Sequence, residues 1–282
     1  MIRIQAAGRI GNILFLWAFA QLISKQNNEK IEITFDKFNL SSYSNYVEIR
    51  KYLENEKVLF TINNWLGLLL KIIDYIGTKS PFLLKIISLV FKVHHGESIP
   101  NFEKVKIIRG YFQDLTYFES IKNQIFEKIS KILNTIFIER RLGLRFPELN
   151  DKYQVIHLRL GDYKDERFGV IKIFENTKLL DSSLPVIVCT DGDVLEIQKR
   201  LTYDPKLILT PLNTDGWEVL AIMAKAEIVI TSNSTLSWWG GVMACHNGGK
   251  SYFPNKWRKV NNPSNPCPTS IQNAFEYNAV FE

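Results

Sequence analysis

Tyr153-Gln154-Val155-Ile156-His157-Leu158-Arg159-Leu160-Gly161-Asp162-Tyr163 opens as a strand and closes in a turn. Side chains along a strand alternate between faces. Val155, His157 and Arg159 therefore share one face, and Ile156, Leu158 and Leu160 share the other. The second set is apolar and reads as core. The first brings an imidazole and a guanidinium together at the carboxyl end of the strand, where Gly161 turns the chain and Asp162 follows. In open α/β sheets, ligands sit at such carboxyl ends. A guanidinium there suits a phosphate, because its planar fork offers two parallel charge-assisted hydrogen bonds. The plainer reading is an arginine paired with a carboxylate at the core edge, beside a structural histidine. Both readings fit this stretch.

Outward from it, strands and helices alternate. Towards the C-terminus the pattern predicts strands at Leu184–Thr190, Leu207–Thr210, Glu227–Thr231 and Ser251–Pro254. Helices are predicted from Asp193 to Leu201, over Trp217–Ala226 and from about Leu236 to Ala244. Towards the N-terminus, Ile2–Ala6 reads as a strand, Gly8-Arg9-Ile10-Gly11-Asn12 as a turn and Ile13–Ser24 as a helix. That order opens a Rossmann-like half. The two glycines do not make the G-x-G-x-x-G fingerprint of dinucleotide sites; they bring backbone close to something or simply turn the chain. Lys30–Phe35 and Lys104–Arg109 read as strands, and Tyr117–Phe137 as a helix with Phe118, Ile121, Ile125, Ile129 and Ile132 on one face. Such alternation argues for parallel sheets covered on both faces. Arg140–Lys152, with its charges, Gly143 and Pro147, is the expected boundary, dividing the chain into 1–150 and 151–282.

Composition narrows the function classes. The 282 residues are 46% apolar, enough for a substantial core. A formal net charge of +6 fits an anionic ligand, an acidic membrane surface or nucleic acid. Three cysteines (Cys189, Cys245, Cys267) without metal-ligand spacing suit a reduced, cytoplasmic setting. Met1–Gln5 carries a charge in a short strand-like run, so no signal-peptide pattern opens the chain. No segment supplies the roughly 18 uninterrupted apolar residues of a spanning helix. Trp65–Val93 comes nearest, but Lys71, Asp74, Lys79, Lys85 and Lys92 interrupt it. Two amphipathic helices packed on the core is the plain reading; peripheral attachment to an anionic membrane, lysines outward, is the sharper one.

The second chemical feature is Thr231-Ser232-Asn233-Ser234-Thr235-Leu236-Ser237-Trp238-Trp239-Gly240-Gly241. A buried strand empties into a run of hydroxyls and then a helix. Helix N-termini leave backbone N–H groups unpaired and favour anions. One such residue suffices as an N-cap, and here four stand in a row, which favours a ligand. Asp191 follows another strand end, placed to accept hydrogen bonds from a base or ribose, or to cap the helix after Gly192. Gly248-Gly249-Lys250-Ser251 is not a P-loop: Ala244 stands where its first glycine belongs, and the segment runs from helix to strand. His94-His95 lacks zinc-pair spacing and reads as a surface loop. Scattered lysines without interleaved aromatics argue against a nucleic-acid module.

Together these motifs resemble a known family. His157-Leu158-Arg159-Leu160-Gly161-Asp162-Tyr163 resembles the His-x-Arg-Arg-x-Asp motif of α1,2- and α1,6-fucosyltransferases. The tyrosine makes it most similar to the bacterial α1,2-fucosyltransferases of glycosyltransferase family 11. Ser232–Gly240 resembles that family's Ser-Asn-Ser-Thr-Phe-Ser-Trp-Trp-Gly run, with Leu236 for Phe. Gly8–Phe15 resembles its Gly-Gly-Leu-Gly-Asn opening, and Gly110-Tyr111-Phe112-Gln113 a further segment. The resemblance implies a GT-B architecture, two Rossmann-like α/β domains facing a central cleft, with the acceptor side in 1–150 and the donor side in 151–282. It implies GDP-fucose as donor, a glycan acceptor such as a galactoside (lipid-linked if the chain works at the inner membrane face), inversion at C1, and no metal or other cofactor. By position, Arg159 would bind the β-phosphate, and Ser234 and Thr235 the diphosphate within the Ser232–Thr235 turn, Asn233 included. His157 and Asp191 would lie near the guanine or ribose, and Gly11 and Asn12 would face the sugar. One departure is Leu160, where the family has a second arginine; alternation points it to the apolar face. A related GDP-sugar donor, or a non-catalytic GDP-binding scaffold, are the alternatives.

The chemistry of such a transfer asks for two things. Negative charge builds on the leaving diphosphate, and Arg159 with the Ser234 helix end would stabilise it where it develops. A general base must take the acceptor hydroxyl's proton; Asp162, Asp165 and Glu166 are the carboxylates near Arg159 in sequence.

Overall fold

A computed structural model describes residues 1–36, 45–96, 98, 100–101, 104–161, 169–172, 177–258 and 266–281. It divides into two units, Met1–Lys122 and Asn123–Glu282.

The first unit is a five-stranded sheet in the order β3-β2-β1-β5-β4. Its strands are β1 (Ile2–Gln5), β2 (Ile31–Phe35), β3 (Val58–Ile62), β4 (Val93–His95) and β5 (Ile107–Arg109). Every pairing is parallel, so both faces must be covered by crossover helices. Helix α1 (Ile10–Asn27) is apolar nearly all round and buried from Ile13 to Ala20, as a helix enclosed by its surroundings must be. Asn28 ends it in the left-handed conformation. Helix α2 (Tyr46–Leu53) anchors to it where Trp17 Nε1 donates to Leu53 O at 3.0 Å. Helices α3 (Asn64–Lys79) and α4 (Pro81–Val90) follow, each capped by a side chain: Asn63 accepts from Leu66 N and Ser80 from Leu83 N.

The second unit holds α5 (Lys122–Glu139) beyond its first residue and carries β6 (Gln154–Leu158), β7 (Val186–Thr190), β8 (Leu207–Leu209), β9 (Ile228–Ile230), β10 (Lys250–Pro254) and β11 (Ala274–Tyr277). Their order is β11-β10-β9-β6-β7-β8, again all parallel. Counted from β6, this is the doubly wound order whose direction reverses between its first and fourth strands, here β6 and β9. Helices α6 (Val194–Arg200), α7 (Gly216–Lys225) and α8 (Thr235–His246) connect the strands. The Trp-Trp-Gly-Gly run explains how α8 lies so close to its neighbours. A Cβ on Gly240 would stand 2.4 Å from Met223 Cε, and one on Gly241 2.7 Å from Thr231 Cγ2. Trp239 is fully buried and Trp238 Nε1 donates to Pro266 O at 2.8 Å.

The structure differs from expectation in three places. The division falls at Lys122, not within 140–152. The charges of that stretch are latched to the second unit: Arg140 pairs with Asp215, and Arg145 reaches Glu218 Oε1 at 2.5 Å and Asn213 O at 2.6 Å. Upstream, Ser130 Oγ meets Asn247 Oδ1 at 2.9 Å, so α5 belongs to the same body. Secondly, Val93–His95 is an edge strand, not a surface loop, and Val58–Ile62 and Ala274–Tyr277 are further strands. Three to five residues give too short a run for alternation to show. Thirdly, β6 ends at Leu158, so Arg159 and Leu160 lie just beyond it.

Candidate active site

In the second unit, three neighbouring strands (β7, β6 and β9) bring their carboxyl ends to one edge of the sheet. Pairing sets Leu158 beside Thr190 and Ile156 beside Ile230. The residues that follow, Arg159, Asp191 and Ser232, are therefore brought to the same edge. This is the switch point, where doubly wound sheets leave a crevice for ligands.

Arg159 Nη1 is ion-paired with Asp191 Oδ2. The side chains are only 14% and 18% exposed, so solvent screens the pair weakly. Asp191 Oδ1 also accepts from Leu160 N at 2.8 Å and Gly161 N at 3.1 Å. Burial alone would raise this carboxyl's pKa; Arg159 and the two backbone N–H groups outweigh burial and hold it below the ordinary range. Asp191 is not a helix cap: Asp193 does that work, accepting from Glu196 N at 2.9 Å. Gly161 is required by close approach, since a Cβ there would meet Asp191 Oδ2 at 2.7 Å. The plainer reading of Arg159 is thus realised, and the pairing also fixes where the guanidinium sits. Leu160 packs in the apolar cluster with Ile156, Leu158 and Val188, as alternation predicts.

His157 crosses the switch point. Its Nδ1 lies 2.9 Å from Ser232 Oγ. Burial, aided by the nearby Arg159 cation and only partly opposed by Asp191, pushes its pKa down to about 4. The ring is neutral at neutral pH and contributes structure here, not charge.

The turn beyond β9 is braced internally. Ser237 Oγ accepts from Ser232 N at 3.2 Å and lies 3.0 Å from Ser234 O. Asn233 Nδ2 donates to Gly169 O and Trp257 O at 3.2 and 3.1 Å. Ser232 and Asn233 are therefore buried members of the scaffold. Ser234 stands at the N-cap of α8 in extended conformation, yet its side chain accepts no capping bond. Ser234 and Thr235 thus begin a 12-residue helix whose first N–H groups receive no side-chain cap from Ser234.

The first unit has its own switch point, between β1 and β5. Gly8 turns the chain at φ 75°, and a Cβ there would stand 1.9 Å from Asn12 Nδ2, so the glycine serves turn and close approach together. Gly11 and Asn12 lie in the first turn of α1. Asn12 Oδ1 accepts from Gln113 Nε2 at 2.8 Å, linking the two strand ends. Gln113 follows Phe112, which is buried at φ 49°, an uncommon conformation for a bulky residue, and stacks on Phe19 at 4.0 Å. Gln113 and Ser237 had no assigned role in the sequence; Gln113 meets Asn12 only through the fold, whereas Ser237 braces its own turn through Ser232 and Ser234. Asp162, Asp165 and Glu166 lie outside the described residues.

A separate groove of about 510 Å³ in the second unit is lined by Ser130, Lys225, Glu227 and Gly249 among others, and by none of the site residues above.

No family model matches the chain. In sequence it is 22% identical over 304 aligned residues to the O-antigen biosynthesis glycosyltransferase WbnK of Escherichia coli, across 92% of this chain and 95% of WbnK. In structure it is similar to the fucosyltransferase NodZ from Bradyrhizobium, with a TM-score of 0.50 and 12% identity over 86% of this chain and 92% of NodZ. A glycosyl transferase family 9 protein from Veillonella parvula gives 0.49 at 11% identity, over 98% of this chain and 84% of that one. The fold, two parallel-sheet Rossmann-like units, is GT-B. The likeness to WbnK supports a glycosyltransferase working in glycan biosynthesis.

Proposed function

We propose that this GT-B glycosyltransferase moves L-fucose from GDP-fucose to a hydroxyl of a glycan acceptor, the 2-hydroxyl of a galactoside being the reading its motifs favour. One observation carries the proposal. An ion-paired arginine and a hydroxyl-bearing helix N-terminus stand on neighbouring strand ends at the switch point of the second sheet. That combination suits a diphosphate.

In the proposed reaction the acceptor oxygen attacks C1 as the bond from C1 to the diphosphate breaks, in one displacement that inverts C1. Charge passes to the β-phosphate. Arg159 and the N–H and hydroxyl groups of Ser234 and Thr235 stabilise it there, with no metal assigned to the step. Asp191 orients the guanidinium by holding one of its edges. His157 and Ser232 fix the two strand ends relative to each other. Within the first unit, Gln113 steadies Asn12 by donating to its Oδ1. The general base is assigned to Asp162, Asp165 or Glu166.

A second reading, another GDP-sugar as donor, rests on Leu160. The family's second arginine is replaced here by a side chain in the core cluster, so one cation that could select the donor is missing. The test is a hydrolysis and transfer screen over GDP-, UDP- and ADP-sugars with a panel of galactosides. GDP-fucose turnover that falls at least 100-fold in Arg159→Ala is expected, on the basis of about 3 kcal/mol for a charge-assisted contact. Turnover of a different GDP-sugar would establish the second reading. Tight GDP binding with no turnover of any donor would leave a scaffold.

A further inference from the structure

We propose that helices α3 and α4 form a docking face for an anionic lipid surface. Helix α3 has two apolar sides. At about 100° per residue, Leu66, Leu70 and Ile73 fall on one side and Trp65, Leu68, Ile72 and Tyr75 on roughly the opposite one. The first set is buried, in a cluster with Val93 and Ile107. The second set is exposed, Trp65 at 82%.

Helix α4 goes further. It buries no residue completely. Only Leu84 and Ile87 pack against that cluster, while Phe82, Leu83, Ile86, Leu89 and Val90 face outward, Leu89 at 80%. A 10-residue helix is marginal by itself, so so much exposed apolar surface on it is costly unless something covers it. Trp65, Tyr75, Phe82 and Phe91 alone present on the order of 500 Å².

Charge selects the occupant. Between Asn64 and Lys92 the chain carries Lys71, Lys79, Lys85 and Lys92 against one acid, Asp74; Lys71 is paired with Asp36 at 4.0 Å, so Lys79, Lys85 and Lys92 carry the charge of the face. Asp74 is held by Arg109 through two bonds of 2.6 and 2.9 Å, which removes it as a repulsive charge. Lysines beside outward aromatic and aliphatic side chains match anionic headgroups above an acyl layer. A second copy of the same face would set lysines against lysines. No helix among the described residues is long and apolar enough to cross a membrane, so this contact lies on the surface.

The test is co-sedimentation of the full chain with vesicles, using no donor or acceptor, so its outcome is separate from that of the proposed reaction. Binding is expected to vesicles of phosphatidylglycerol with phosphatidylcholine, to weaken with added salt, and to be much weaker with phosphatidylcholine alone. Trp65→Ser with Phe82→Ser should weaken it more than tenfold. Lys79→Gln and Lys85→Gln should each weaken it about fivefold. All four positions are exposed, and unchanged circular dichroism and melting would show intact folding. Absence of binding, equal binding to neutral vesicles, or binding untouched by these variants would overturn the proposal. So would self-association in sedimentation velocity that is abolished by the Trp65 and Phe82 pair, because the face would then belong to a second copy.

Discussion

Acidification below about pH 6.5 should destabilise the second unit through His157. The ring is 5% exposed, and burial brings its pKa from 6.5 down to about 4. In the unfolded chain the imidazole titrates near 6.5. Between those two values the unfolded state binds the extra proton, so stability falls as pH drops through this window and is unaffected above it. A shift of this size corresponds to about 3 kcal/mol at pH 4. For a unit of this length it lowers the melting temperature by roughly 6–12 °C. Asp191 does not confuse the result. Its carboxyl is depressed, so its stabilisation is present above the ordinary carboxylate range and is lost only as pH falls below it. The assay is urea unfolding of the wild type and His157→Asn from pH 7 to 4. The variant keeps a short polar group towards Ser232 and carries no titrating ring. Its loss of stability over that range should be smaller by about 3 kcal/mol. Parallel curves for the two proteins would refute the buried, neutral histidine.

Other substitutions separate scaffold from ligand contact. Ser234→Ala should leave melting within about 1 °C, since no capping bond is lost, yet weaken GDP binding roughly 3–10-fold; a cap would have cost about 1 kcal/mol of stability instead. Gly161→Ala should lower donor turnover more than about tenfold in kinetic assays, because its Cβ would displace Asp191 and with it Arg159. Asp191→Asn keeps an acceptor for the backbone N–H groups but loses the ion pair. It should cost about 2 kcal/mol at pH 7 by denaturation, a deficit that shrinks as pH falls below the ordinary carboxylate range and the depressed wild-type carboxyl is protonated.

What could be read from the residues was what alternation and local chemistry encode. Ile156, Leu158 and Leu160 announced the core face of β6, and the hydroxyl run announced the start of α8. The link between them was not legible. His157 and Ser232 are 75 positions apart and meet only because β6 pairs with β9. Asp191 looked like a cap because Asp, one residue before a glycine and a helix, usually is one; the parallel pairing of β7 with β6 gave it to Arg159 instead. The boundary failed for a related reason. Arg140 and Arg145 read as linker charges, whereas their partners Asp215 and Glu218 lie more than seventy positions away, in the N-terminal cap of α7. Short edge strands such as Val93–His95 carry too few residues for any periodicity.

The central claim is that the switch point of the second sheet grips a diphosphate through Arg159. Calorimetric titration of the wild type and Arg159→Ala with GDP and with GMP tests it most directly. The expected result is GDP bound at least about tenfold more tightly than GMP by the wild type, with that difference nearly abolished in the variant while GMP binding is kept. Equal affinity for GDP and GMP in the wild type, or a preference for GDP that survives Arg159→Ala, would contradict it.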